Sequence, residues 1–389
     1  MTTESSAMDY WFSIVHLQDS GEQFIENMFD SLGDEYPSIF SVVGERTCAL
    51  QCAHCIFQAE KSSQALSLSN SLTVAVKTII SQMGANPIFV HEGRMFRPAH
   101  LEWLTAVRDL RPDAVVGMID TGAYLDYATE IKQSDFKFDW LDISIDGTEE
   151  VHAQQRKNAR SFSLAMEGIG NASRFIRETG RITSLFTLTK INYASVLATC
   201  KILPKELTEW HITTISPVRP EISGLSVNDD EFKEAWSQIV SANHIRPVFF
   251  RIYVVEDILK LAKAVGKEKF LSAMDDAQVF SCGVSLTIDG VSVLYYPKSV
   301  GPNEVFVLDA DAHYRMPYSL AYSLEELRSG VSRFGQDIRE YTIGKVDDQS
   351  QFGVLYANGV DCWRTTFGAK ALKSEVAMFQ EIHKLQERR

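Results

Sequence analysis

Cys48, Cys52 and Cys55 stand within eight positions of one another and are the residues best placed to do chemistry. Three thiolates on one short loop can each take an iron of a [4Fe–4S] cluster, because soft sulfur suits iron–sulfur centres and the loop can wrap one face of the cube. The fourth iron is then open to the amino and carboxylate groups of a small molecule, and can pass it an electron. The spacing leaves other uses open. A structural zinc site takes four ligands, and His54 or another cysteine would supply the fourth. Cys52 and Cys55 also form a redox CxxC pair, although such pairs usually open a helix in a thioredoxin-like unit that is not visible here. Buried, inert thiols are the third alternative.

A loop of this kind has to be held by a scaffold. From about Pro37 to Val218, short β-branched apolar runs alternate with longer amphipathic stretches, the pattern of repeated βα units around a parallel sheet. The runs predict strands at Ser38–Gly44, Pro87–His91, Ala114–Ile119, Trp140–Ile145, Ile182–Thr189 and His211–Ser216. Helices are predicted at Asn70–Met83, Ala99–Leu110, Ser161–Glu178 and Tyr193–Leu203. The fold class is therefore α/β, a partial (β/α)6 TIM-like barrel. Polar residues that fall at the C-terminal ends of these strands, where barrels gather their active sites, include Cys48, His91, Glu92, Asp120, Thr121, Ser144, Asp146 and Thr189.

Pro217, Pro220 and Gly224 mark a boundary, and a smaller α+β C-terminal domain follows. Its first helix is expected to begin near Asn228, with Asp229, Asp230 and Glu231 in the first turn. Asp289 and Gly290 between two apolar runs predict a two-residue hairpin, and a last helix is expected from about Lys370. The division is thus an N-terminal extension (1–36), a core (37–218) and a C-terminal domain (219–389).

The Cys-x3-Cys-x2-Cys loop after the first strand resembles the radical-SAM superfamily. The segment from Pro87 through His91, Glu92, Gly93 and Arg94 resembles the strand that ends in a Gly-Gly-Glu-Pro turn and receives the amino group of S-adenosylmethionine (SAM), with a changed turn sequence. Thr121 and Gly122 resemble the Thr-Asn-Gly strand end, with Gly122 in the place of Asn. Asp142, Ser144, Asp146, Gly147, His152 and Arg156, followed by Ser161 and Phe162, resemble the branch that carries the SPASM or twitch extension. The resemblance implies one [4Fe–4S] cluster on Cys48, Cys52 and Cys55. It also implies a SAM site that includes His91, Glu92, Gly93, Thr121, Ser144 and Arg156, with Ser144 reaching SAM and Arg156 pairing with its carboxylate. The implied activity is reductive cleavage of SAM to a 5′-deoxyadenosyl radical, which abstracts hydrogen from a small metabolite or a peptide in a specialised biosynthetic pathway. An electron donor such as flavodoxin or ferredoxin is implied as a partner.

Ser281, Cys282 and Gly283 resemble the start of a SPASM domain, but Cys282 and Cys362 are the only cysteines in this region, too few for an auxiliary cluster. Cys282 is then free to return a hydrogen atom to a substrate radical, as an epimerase would require. The aromatic residues Tyr295, Tyr296 and Trp363 line either a substrate pocket or the core. The rival to an enzyme is a non-catalytic zinc or iron–sulfur protein, which accounts for the cysteines and leaves the polar strand ends unexplained.

Bulk properties limit the choices. At 389 residues the chain can bury a large catalytic domain and a smaller one. With 45% hydrophobic and 23% charged residues it is neither disordered nor fibrous. A net charge of −13 argues against a nucleic-acid partner. No run of apolar residues is long enough to span a membrane, and Met1 to Asp9 lack a signal-peptide pattern, so a cytoplasmic location is expected. The clustering of three of the six cysteines points to a metal site in a reducing compartment rather than to a disulfide framework.

Overall fold

A computed structural model describes residues 39–43, 48, 50–55, 70–84, 87–92, 100–122, 136–215, 220–280, 283–296, 307–309, 313–315, 342–351, 354–355 and 358. The first half alternates strand and helix: β1 (Ile39–Val43), α1 (Asn70–Gln82), β2 (Ile88–Glu92), α2 (His100–Leu110), β3 (Val115–Asp120), β4 (Phe138–Ser144), α3 (Glu149–Arg156), α4 (Ser161–Ala172), β5 (Ile176–Leu188), α5 (Val196–Ile202) and β6 (Glu209–Thr214). Next come α6 (Asp229–Asn243), β7 (Val248–Ile252), α7 (Val255–Val265), α8 (Lys267–Asp275), β8 (Gln278–Phe280), β9 (Gly283–Ile288), β10 (Val291–Tyr295), β11 (Val307–Asp309), β12 (His313–Arg315) and β13 (Thr342–Lys345).

All the strands belong to one open sheet, in the order β13-β12-β11-β1-β2-β3-β4-β5-β6-β7-β10-β9-β8. From β11 through β1 to β7 and on to β10 every neighbour is parallel, and only the two edges are antiparallel. This is the mostly parallel, unclosed α/β sheet that the βα rhythm predicts. It continues without a break past Val218, because β7 pairs with β6 and β10 pairs with β7.

Apolar periodicity builds the helix-covered face. In α1 the buried Leu72, Ala75, Val76, Ile79 and Ile80 recur at helical spacing and bring one stripe to the sheet. Leu141 and Ile143 of β4, Trp210 and Ile212 of β6, and Phe250 and Ile252 of β7 face the same core. α6 begins where its sequence signals: the Asn228 side chain accepts from the Glu231 N–H, and the Glu231 carboxylate accepts from the Asn228 N–H. Its Phe232 and Trp236 then pack on Phe250, with ring centroids 5.9 and 5.8 Å apart. Asp289 and Gly290 both have positive φ, 55° and 77°, which a tight turn between twisted strands requires.

Among the elements that differ from the sequence expectation, three matter here. The helix expected to reach Glu178 ends at Ala172, and β5 already begins at Ile176, because pairing of Phe138 with Ile176 outweighs the local helical preference. β7 was not expected as a strand, since Arg251 interrupts its short apolar run. α3 was not expected as a helix, because the residues it buries are His152, Gln155 and Arg156 and it has no apolar stripe to read. The helix expected from Lys370 lies outside the described residues.

Candidate functional site

The cysteine loop leaves the C-terminal end of β1. Leu50 is buried and anchors it, while Cys48, Cys52 and Cys55 are half-buried. The Leu50 N–H points at Cys48 Sγ (3.4 Å), and the Cys55 N–H donates to the Cys52 carbonyl (3.2 Å), which tightens the turn between them. Burial pushes the Cys48 thiol up, and it pushes Cys52 up to about 11 although Arg156 pulls the other way. Cys55 lies near enough to both to add to the rise. Among the described residues no three His, Cys, Asp or Glu side chains converge as a single-ion site would require.

α3 clamps this loop from the other side. The Ala53 N–H donates to the Gln155 carbonyl (2.8 Å), and Arg156 Nη1 lies 3.6 Å from Cys52 Sγ. Arg156 in turn donates through Nε to Asp146 Oδ2 at 2.5 Å, and both side chains are buried. Burial alone would raise the Asp146 carboxyl, but the guanidinium beside it holds it below the usual range. Asp146 Oδ1 accepts from the Thr187 N–H (2.8 Å), so this carboxylate ties β4, α3 and β5 together. His54, inside the loop, places Nε2 3.8 Å from Asp146 Oδ2, and burial lowers it to about 4. His152 Nδ1 accepts from the Asp146 N–H (3.0 Å); burial, and then Arg156, lower it to about 4, so the ring is neutral with its proton on Nε2. Asn192 donates to the carbonyls of Asp146 and Thr187 (2.9 and 2.8 Å), and Thr189 donates to Gln155 Oε1 (2.6 Å).

β3 ends in the same neighbourhood. Asp120 is buried, accepts from the Gly122 N–H (2.7 Å) and contributes to raising Cys48. Thr121 follows, and Gly122 has φ 76°, a conformation that side chains rarely adopt. Gly168 of α4 lies against this turn so closely that a Cβ there would be 2.3 Å from the Gly122 carbonyl oxygen. Gly168→Ala is therefore expected to push the Thr121 turn off α4 and cost about 1–3 kcal/mol, measured by chemical denaturation; an unchanged midpoint would mean that the turn yields freely.

The polar strand ends of β3 and β4, the cysteine loop and α3 thus form one buried assembly at the C-terminal edge of a parallel sheet. No family model matches the sequence, and no curated protein matches it. Solved structures do match. Over 89% of this chain and 96% of the other, the protein is similar to anSMEcpe with bound AdoMet, with a TM-score of 0.55 and 13% identity. With anSMEcpe bound to AdoMet and the Kp18Cys peptide, the values are 90% and 100% coverage, a TM-score of 0.54 and 13% identity. The chain shares the fold of these structures. On this scaffold, Cys48, Cys52, Cys55, Thr121, Ser144 and Arg156 come to the C-terminal edge of the strands. Ser144 closes β4 on the same side of the strand as Asp142. Glu92 closes β2 opposite Ile119, while Gly93 and Cys282 lie outside the described residues. His91 turns towards the helices: its buried ring is 4.5 Å from that of His100 and 5.3 Å from that of Trp103, under α2. Cys200 is buried in α5, where its thiol points at the Ala242 carbonyl (3.7 Å).

Sequence reasoning missed a second polar group on the face of the sheet away from the helices. His211 Nδ1 lies 3.3 Å from Asp142 Oδ2 and 2.9 Å from Arg251 Nη2. Burial works against charge on His211, yet Asp142 and Glu209 raise it. Asp142 is held low by His211 and Arg251 in spite of its burial. The alternation of Asp142, Ser144 and Asp146 with isoleucines was a legible sign of a polar strand face, whereas Arg251 needed β7 to be recognised first.

Proposed function

We propose that the protein is a radical-SAM enzyme carrying one [4Fe–4S] cluster on Cys48, Cys52 and Cys55. The observation that supports this most is the three-thiol loop at the C-terminal edge of a radical-SAM sheet, with donors from Leu50 and Arg156 already aimed at two of its sulfurs. Such donors stabilise thiolates bound to a cluster and tune it. A [4Fe–4S] cluster with one open iron would supply the electron that cleaves SAM to methionine and a 5′-deoxyadenosyl radical.

The chain's own residues do the rest. The Asp146–Arg156 pair and the Ala53–Gln155 bond fix the loop on α3. Thr121, Ser144 and Arg156 are the side chains we assign to SAM, together with Glu92, the last residue of β2, and Gly93, which follows it in sequence. His91 contributes through its place in that strand, since its ring packs under α2. An electron donor of the flavodoxin or ferredoxin type serves the enzyme, and the substrate is a peptide or a small metabolite. The Kp18Cys peptide in the anSMEcpe structure favours the peptide. Among the described residues no helix is long and apolar enough to cross a membrane.

Iron and sulfide analysis after anaerobic reconstitution tests the proposal: about four irons per chain are expected. A colourless protein that holds zinc would establish the non-catalytic rival, and twice the expected iron would show a second cluster.

A further inference from the structure

We propose that Arg251 anchors a carboxylate group of the substrate on the inner face of the sheet. The word substrate rests on the radical-SAM reading; the anion site itself stands on separate observations. The first is the face. Leu141, Ile143, Trp210, Ile212, Phe250 and Ile252 point into the helix-covered core, so the residues that alternate with them point the other way. There Asp142, His211 and Arg251 touch in series across β4, β6 and β7. Barrel interiors that serve stability alone are layered with branched apolar residues. Buried charges in their place are costly and mark a site.

The second observation is a charge imbalance. A guanidinium stays protonated at any working pH. Arg156 has Asp146 in direct contact, but no carboxylate of the described residues makes such a contact with Arg251. The neighbours of Arg251 are His211 Nδ1 and the Tyr253 hydroxyl, and its buried Nε has no acceptor. Asp142 Oδ2 approaches the same nitrogen at 3.3 Å without an ion-pair contact to Arg251, and Glu209 divides its two oxygens between Arg181 (2.7 Å) and His211 Nε2 (3.5 Å). His211 Nδ1 cannot accept from Arg251 and donate to Asp142 at once. When the imidazole is protonated it pairs with Asp142, and Arg251 is left without a counter-ion. A carboxylate meets this need, since its two oxygens match the guanidinium fork.

The third is the wall beside it. Tyr253 and Tyr296 stack with centroids 5.1 Å apart and an interplanar angle of 14°, which offers a flat surface to the body of a ligand that carries the carboxylate. β5 and β6 separate β7 from β4, the strand whose Ser144 is assigned to SAM, so the ligand proposed for Arg251 is one other than SAM.

Ligand-observed NMR titration of the cluster-loaded full chain with benzoate and with its neutral isostere benzamide tests this. Benzoate is expected to bind about ten-fold or more tightly than benzamide, and Arg251→Gln to abolish the preference. Arg251→Lys, which keeps the charge but not the fork, is expected to keep part of the preference for benzoate, an outcome that a misfolded protein would not give. No benzoate binding at millimolar concentration, equal affinity for both probes, a preference that survives Arg251→Gln, or displacement of benzoate by SAM would each overturn the proposal. Iron content is measured on the same sample. Benzoate selectivity without a cluster would overturn the radical-SAM reading and leave the anion site standing.

Discussion

Cys52→Ala, purified without oxygen and reconstituted, is expected to be nearly colourless and to retain only a small fraction of the wild-type iron. Cys52 is the thiol that the fold grips most firmly: its neighbour Ala53 is bonded to Gln155, and Arg156 is aimed at its sulfur. Removing that sulfur leaves two ligands on a loop that the fold still presents, too few to hold a cube. Cys48→Ala and Cys55→Ala are expected to behave alike. SAM cleavage should fall to the level of buffer in all three. Full cleavage by any of them would remove the basis of the functional proposal.

Asp146→Ala is expected to cost about 3–5 kcal/mol of stability, because it leaves the buried Arg156 charge without its counter-ion. The loss should exceed that of an ordinary carboxylate, since Asp146 also accepts from Thr187 and approaches His54. Urea denaturation of the apo protein measures it directly. A change below about 1 kcal/mol would put Asp146–Arg156 in the class of exposed pairs. Asp146→Asn keeps the shape but not the charge, so it separates the hydrogen bonds from the ion pair. In the cluster-loaded protein the same variants should loosen the cysteine loop, seen as faster iron release to a chelator.

Much of the fold was legible because the helices that cover the sheet carry apolar stripes and the strands between them are short β-branched runs. Asn228, Asp289 and Gly290 announced their cap and turn through backbone chemistry that depends on a few residues. The cysteine loop was legible for the same reason, since its ligands are adjacent in sequence. What brings the site together was not. α3 has no apolar face, so periodicity could not find it, and its contact with Ala53 links residues far apart in the chain. Strand period did not reveal that His91 turns under α2, because a histidine at a strand end reads equally well on either face. Arg251 was hidden by the same rule that makes it informative: a charge in an apolar run argues against a strand until the lumen it faces is known.

The radical-SAM reading rests on an iron that is open to SAM, and electron paramagnetic resonance of the reduced, cluster-loaded protein with and without SAM tests that most directly. The account predicts a [4Fe–4S]+ signal whose g values shift when SAM is added, with the shift weakened in Arg156→Lys. A reduced cluster whose spectrum is identical with and without saturating SAM would contradict it.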